Sequence, residues 1–487
     1  MTEAATEGTA QVRLPAFVGG ETRLQKGSGV ELLRPQDGSI RGLLVESGES
    51  GVDEAVADAR RAYLENRHVA SHQRAAWLQA GAAALREHAE AIAAAISTDI
   101  GKPIRAALFE ARRGADLLEG CAAAALDIHG EVLPLDAVPA GRGLLGFTRR
   151  VPYGVVGAVT PFNAPVNLVL QKVGPAIAAG NAIVVKPAPM GTPVALRLAE
   201  AMTAAGLPTG LFNVVTGGRE TAAALAGHPG VDAVTFTGGT EAGDALARAA
   251  GAKRFAAELG SNAANVVLAD ADVATAAKKI AGAAFEASGQ QCISAQRVIV
   301  ERPILAAFQE AFVAAAEAMR VGPIDDPDTD LGPLVSAAAA DRVMAMVEDA
   351  VARGARCLVE PRRSGCVVSP GVLVDVPRDA RLWREEVFGP IAVLTPAADA
   401  EEALALANDS PFGLQGAVFT ASLDAALRFS EAFEVGSLWV NEASRFRLDM
   451  YPFGGVKRSG FGREGVRYAV EELTQVRFTG IRSGGAA

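Results

Sequence analysis

Cys292, Glu258 and Asn163 are by type and placement a candidate nucleophile, a base and an oxyanion donor. Cys292 lies in GQQCIS and is one of only four cysteines in 487 residues. A free thiol has a pKa near 8.5, so only about 3% is thiolate at pH 7, and forming that thiolate costs about 2 kcal/mol. That cost is small against the nucleophilicity gained. Taken alone, a single cysteine is more often buried filler than a nucleophile. Glu258, in AAELGSN, ends a predicted strand, where open α/β sheets bind ligands and a carboxylate can act as a base. In isolation it reads as a surface glutamate. Asn163, in TPFNAP, sits between two prolines that restrict its backbone. An amide N–H aimed at a developing oxyanion is worth about 3–4 kcal/mol; the plain alternative is a turn asparagine.

A second group has the character of a cofactor site. VTFTGGTEAG is a strand, then Gly238 and Gly239, then a helix start, a turn that brings backbone close to a phosphate. The spacing is not GxGxxG, so the signal is weak by itself. Lys186 in VVKPAP ends a strand, where an ammonium can reach a ribose or phosphate. EEVFGP places Glu385, Glu386 and Phe388 before a Gly-Pro break, a carboxylate and an aromatic suited to a ribose and its ring. Each has a plain structural alternative that would win in isolation.

These residues need elements to hold them. Residues 51–126 are Ala-rich with apolar positions three and four apart, which predicts helices, with Asp53 and Ser71 as N-caps. Residues 128–155 read as two extended runs joined by a Pro/Gly-rich turn, a hairpin-like insertion. Residues 154–258 alternate short apolar strands (GVVGAVTP, NAIVVKP, LFNVVTG, VDAVTFTG, RFAAELG) with helices, the pattern of a parallel sheet covered on both faces. From about 260 to 440 a second set follows, with strands expected at ANVVLA, CISAQRVIV, GVLVDV and AVFT. ELTQVRFTGI reads as a final strand.

Composition excludes several classes. Half the residues are hydrophobic, 21% are charged and the net charge is −10, ordinary for a globular chain and without the basic footprint of a nucleic-acid binder. The cysteines Cys121, Cys292, Cys357 and Cys366 are spread without CxxC, which argues against a disulfide framework or a zinc site and for a reducing cytoplasm. The N-terminus MTEAATEGTAQVRLP lacks the pattern of a signal peptide, and no apolar run is long enough to span a membrane.

Together and in this order, TPFN, VVKP, FTGGTEAG, ELGSN, GQQC, EEVFGP and YPFGG resemble the NAD(P)-dependent aldehyde dehydrogenases, over nearly the whole chain. The resemblance implies an α/β fold with three parts. A Rossmann-like cofactor domain would take residues 1–127 and 150–258, an α/β catalytic domain 259–460, and a small β oligomerisation arm 128–149 and 468–487. It implies that Cys292 attacks an aldehyde to form a thiohemiacetal, that the Asn163 side chain and the Cys292 N–H stabilise the oxyanion, and that Glu258 activates the water that releases a carboxylic acid. It implies NAD or NADP held by Thr160, Pro161, Lys186, Gly238, Gly239, Glu386 and Phe388, no metal, and a homodimer or homotetramer.

Two departures from the family pattern bear on selectivity. Many NAD-preferring members carry a glutamate three residues after the lysine; here Pro189 stands there, so a 2′-phosphate is expected to meet no carboxylate, and NADP+ to be tolerated beside NAD+. The stretch before YPFGG, NEASRFRLDM, carries Arg445 and Arg447. They are either paired, to Glu442 or Asp449, or bind an anionic group of the substrate. Ala164 is small where many members carry an aromatic, leaving room for a bulky aldehyde. A CoA-acylating semialdehyde dehydrogenase is the nearest rival, opposed by Glu258, which such members commonly lack. A non-catalytic binding protein of the same fold is the rival from another class, opposed by the intact Cys292, Glu258 and Asn163. A cofactor-independent thiol esterase is a third.

Overall fold

The computed structural model describes residues 12–24 and 29–482. The reading of the N-terminus as free of a leader falls mostly on residues 1–11, and the end of the arm on 483–487; both lie outside the described residues.

The first sheet holds the alternating strands Val155–Thr160, Ala182–Pro187, Phe212–Val214, Ala233–Thr237 and Arg254–Glu258. They are all parallel, and each is followed by a helix except the last. Val155–Thr160 lies in the middle; the next two strands add on one side and the last two on the other. The winding direction therefore reverses between Val155–Thr160 and Ala233–Thr237, which opens a crevice at their carboxyl ends. Register brings Thr160, Lys186, Thr237 and Glu258 to that one edge: Val159 pairs with Lys186 and Phe236, and Thr237 with Glu258. The strands are buried on both faces by helices, which is why they read as continuous apolar runs.

The second sheet is also parallel apart from one edge strand, with Ala264–Val267 and Arg297–Glu301 at its centre, flanked by Ile391–Ala397 and Gln415–Phe419. Only five residues separate Glu258 from Ala264. The carboxyl edge of the first sheet thus meets the amino edge of the second, and the cleft lies between them. The chain later crosses back: Gly460–Phe461 pairs antiparallel with Arg254–Glu258. This is a Rossmann-like domain joined to an α/β domain, with a small β arm.

Several local expectations are corrected. The first long helix begins at Gly48, so Asp53 lies inside it and binds His228 instead of capping. Ser71 is the first helical residue of Ser71–Glu87, after an extended Ala70 that makes no side-chain cap. The helical run after it breaks at His88 into two helices. The strand expected over CISAQRVIV starts only at Arg297; the residues before it form a turn that exposes the cysteine to the cleft instead of tying it into a ladder. The insertion is barely a hairpin. Val132–Leu133 contributes two pairs, whereas Leu144–Pro152 pairs along nine residues with Thr474–Arg482. Arm and cofactor layer also divide differently from the expected boundaries: residues 150–152 belong to the arm strand, and 468–472 lie in the helix Val466–Glu472, which packs on the helices of the first layer.

Candidate active site

Cys292 is presented by a strained turn. Ala287, Ser288 and Gly289 have φ of 53°, 59° and 64°, three successive left-handed residues, two of which are not glycine. Left-handed backbone at a non-glycine costs about 1–3 kcal/mol, so the surroundings must hold it. They do: Ser288 Oγ donates to Gly332 O at 2.8 Å, and a Cβ on Gly289 would lie 2.3 Å from Gly389 O. Gln296 then clamps the cysteine loop to the loop of Glu386 and Phe388. Its amide donates to Leu382 O and Glu385 O at 3.0 and 2.7 Å and accepts from Val387 N at 2.9 Å.

Asn163 and Glu258 come from the other layer. Asn163 is buried, and its Nδ2 donates to Gln290 O at 2.9 Å, two residues from Cys292. The helix Asn167–Ala179 that follows has its first turn fixed by the buried Glu110 carboxylate, which accepts from Val166 N at 2.8 Å. Glu258 is 4% exposed, and its Oε2 has no hydrogen-bond partner among the described residues.

Electrostatics assigns the resting protonation. Burial pushes the Cys292 thiol up to about 12, helped by the Glu386 and Glu258 carboxylates and opposed by Arg447. Ionising such a thiol at pH 7 costs about 7 kcal/mol, against about 2 for a free cysteine. Cys292 is therefore a neutral thiol at rest, and a base must take its proton as it attacks. Glu258 is raised well above the ordinary carboxyl range by burial and by the neighbouring Glu464. Burial works to raise Glu464 too, but Lys172 and Arg447 outweigh it and keep Glu464 ionised. Lys172 Nζ binds Glu464 Oε1 at 2.5 Å and Arg447 Nη2 binds Glu464 Oε2 at 2.8 Å. Neither Lys172 nor Glu464 was singled out from sequence. The signal for Lys172 was legible: it is the one charged residue in the helix NLVLQKVGPAIAAG.

The cofactor candidates gather along the crevice. A Cβ on Gly238 would lie 2.5 Å from the Phe236 ring, and one on Gly243 2.4 Å from Leu259, so these glycines permit close turn and helix packing. Gly239 faces open space and caps the helix Thr240–Ala250, whose N-terminus suits a pyrophosphate. Thr160 Oγ1 is buried without a partner among the described residues, and Pro161 follows at the strand end. Lys186 Nζ donates to Gly217 O at 3.1 Å and is lowered to about 8 by burial, against the pull of Glu46. Glu386 accepts from Ser261 N at 3.0 Å and is raised to about 7 by burial. Phe388, with φ 51°, meets Phe162 edge-on at 5.9 Å. A buried hydroxyl without a partner, an open glycine at a helix start, and an ammonium and a carboxylate on either side together fit a dinucleotide. Among the described residues no cluster of three or more His, Cys, Asp or Glu side chains could hold a metal ion.

The two arginines are paired, but not with the partners expected from sequence. Arg445 binds Glu286 and, at 3.0 Å, Gln291 Oε1; Arg447 binds Glu464 and lies 3.7 Å over the Phe453 ring. Glu442 is taken by Lys279, and Asp449 by a two-pronged contact from Arg113 at 2.7 and 2.9 Å. The Arg447 side chain is only 8% exposed, its Nε has no partner among the described residues, and its charge is felt at Cys292. Ala164 is half-buried.

A thiol, a buried carboxylate and a buried amide gathered at the switch point of a dinucleotide-type sheet are the parts of a thiol-dependent oxidoreductase that uses a dinucleotide. The chain belongs to the aldehyde dehydrogenase family, whose model matches residues 23–479. It is 40% identical over 427 residues to a 3-sulfolactaldehyde dehydrogenase of Priestia aryabhattai, covering 88% of this chain and 89% of that one. Its fold superposes on the NAD-dependent aldehyde dehydrogenase of Sinorhizobium meliloti with a TM-score of 0.94 at 32% identity, covering 98% and 96% of the two chains. It also superposes on the NADP-dependent glyceraldehyde-3-phosphate dehydrogenase of Bacillus halodurans, solved with NADP, with a TM-score of 0.93 at 33% identity, covering 97% and 100%. The protein is an enzyme that binds NAD or NADP and oxidises an aldehyde through a cysteine.

Proposed function

We propose that the enzyme oxidises a small anionic aldehyde to its carboxylic acid, with water as the final acyl acceptor. The observation that carries the anion is Arg447, a buried guanidinium beside Cys292 with an unmatched Nε. Lys172 and Arg447 share the single carboxylate of Glu464, so neither cation has a carboxylate to itself there. An anionic substrate restores balance. The likeness to the Priestia 3-sulfolactaldehyde dehydrogenase points the same way. Arg445, at the mouth and more exposed, contributes weakly, since exposed pairs are worth about 0–1 kcal/mol. The test is kcat/KM on anionic and neutral aldehydes for wild type, Arg447→Lys and Arg447→Leu. Arg447→Leu should cost the anionic aldehyde about 100-fold more than the neutral one, with Arg447→Lys in between. Equal losses on both would end the anion reading. Breaking the buried pair costs about 3–5 kcal/mol of stability, so the lysine variant is the safer measure.

In this reading Cys292 Sγ adds to the carbonyl carbon while ionised Glu258 receives the thiol proton. The oxyanion forms toward Asn163 Nδ2 and the Cys292 N–H. The dinucleotide, when bound, supplies the ring that accepts the hydride. Loss of that hydride leaves a Cys292 thioester; Glu258 releases the thiol proton to solvent and, ionised again, takes a proton from water as it attacks, then returns that proton to the departing Cys292 sulfur as the acid is released. The Glu258 carboxylate favours hydrolysis over transfer to CoA; turnover that required added CoA would reverse that choice.

For the cofactor, Glu46 changes the expectation drawn from Pro189. Its Oε1 accepts from Gly218 N at 2.9 Å and its charge acts on Lys186, so a carboxylate borders the adenosine-ribose end after all. NAD+ is therefore favoured, as a ratio and not an exclusion. Glu46→Gln should move the NADP+/NAD+ ratio of kcat/KM up about tenfold; no movement would remove Glu46 from cofactor choice.

The arm supports a homodimer or homotetramer: Val476, Phe478 and Ile481 of its last strand are exposed apolar side chains. Four unpaired cysteines suit the cytoplasm, and no helix among the described residues is long and apolar enough to cross a membrane. Light scattering and cell fractionation test these two readings directly.

A further inference from the structure

The helix Asn167–Ala179 carries an unexplained polar face. Asn167 and Gln171 are four residues apart and share one side of it. Both are buried, at 6% and 4% exposure, in a helix whose other side chains, apart from Lys172, are apolar. Asn167 Oδ1 and Gln171 Oε1 have no hydrogen-bond partner among the described residues. The face is tied to the cleft at both ends. Asn163 binds the cysteine loop through Gln290 O, and Gln171 Nε2 donates to Asp449 Oδ1 at 3.3 Å, in the loop that carries Arg447. Because a carboxylate only accepts, that bond also fixes which end of the Gln171 amide is left over: the oxygen.

Buried amide oxygens without donors are rare and ask for an explanation. They can only accept, so what satisfies them must carry an N–H or O–H. An aldehyde carbonyl has neither. An ammonium would face Arg447 and Lys172, which repel it. A hydroxyl, on the substrate or on an ordered water that it displaces, is the remaining common donor. We propose that Asn167 and Gln171 read a hydroxyl on the substrate chain, so that the enzyme prefers a short hydroxylated aldehyde whose acid group lies toward Arg447. This rests on the anionic reading for the second half only; the hydroxyl site stands on its own residues.

A matched set of four aldehydes separates the two. Propanal has neither group, lactaldehyde the hydroxyl, 3-sulfopropanal the anion, and 3-sulfolactaldehyde both. For wild type the hydroxyl should raise kcat/KM about thirtyfold or more within each pair. In Asn167→Leu and Gln171→Leu that advantage should fall to about threefold or less, while the advantage of the sulfonate persists. A wild-type hydroxyl advantage below about threefold overturns the proposal without any variant having to fold. An advantage that survives in both folded variants, checked by thermal melting, overturns it too, since the hydroxyl is then read elsewhere. A hydroxyl effect lost in the variants with no sulfonate effect in wild type supports the hydroxyl site and removes the anionic reading instead.

Discussion

Cys292→Ala should reduce aldehyde oxidation by about 10⁴-fold or more, with cofactor affinity measured by fluorescence titration nearly unchanged. The magnitude follows from what the thiol does. It turns a hydride transfer between two bound molecules into the collapse of a covalent adduct, a gain no neighbouring side chain can replace. Residual activity near wild type would mean that Cys292 is filler after all. A companion measurement reads the thiol directly. With its pKa pushed up to about 12, Cys292 in the enzyme without cofactor should be alkylated slowly at neutral pH, the rate still climbing with pH beyond 9, where an ordinary cysteine has levelled off. A plateau near pH 8 would show that the resting site holds a thiolate.

Glu258→Gln should separate the two halves of the reaction. The thiol proton can still pass slowly to solvent before the adduct forms, whereas hydrolysis of the buried thioester needs a base held against the attacking water. About one NADH per active site should form and then turnover should fall by about 10²–10⁴-fold, the range of a general base. The pH dependence carries the same sign. Burial and Glu464 raise Glu258, so its basic form is scarce at low pH, and wild-type hydrolysis should rise with pH through a range above that of an exposed carboxyl. Below that range the base is protonated and idle; above it the rate levels. The glutamine variant should lose the slope. A glutamine variant whose turnover after the first NADH stays near the wild-type rate would place Glu258 outside deacylation.

Much of this was legible in the sequence, and the reasons for the rest are specific. The five parallel strands of the first sheet read correctly because burial on both faces leaves unbroken apolar runs. Cys292, Asn163 and Glu258 could be named because each sits in a short motif whose order along the chain is distinctive. The strand expected over Cys292 failed because CIS runs on into VIV without a breaking residue, while the structure folds 291–294 into a turn closed by Ser294 N on Gln291 O and starts the strand at Arg297. The arginine partners failed because Glu286 and Glu464 are distant in sequence, and proximity along the chain had suggested Glu442 and Asp449. Glu46 was invisible for the same reason: it reaches the Lys186 neighbourhood from 140 residues upstream. The polar face of Asn167 and Gln171 lay within a segment correctly read as a helix, but nothing in sequence says that its amides lack partners.

The cleft is bounded by two layers, with the base and the oxyanion amide on one and the thiol on the other. The spacing between reacting atoms is therefore an alignment between two rigid bodies and belongs to neither. Ser459 is a bolt across that joint. Its Oγ donates to Gly260 O at 2.7 Å and accepts from Gly413 N at 3.0 Å, while its carbonyl accepts from Leu259 N at 2.9 Å. A misplacement of about 1 Å between reacting groups costs about 100-fold in rate. A residue with no reactive role thus sets the tolerance to which the whole machine is assembled.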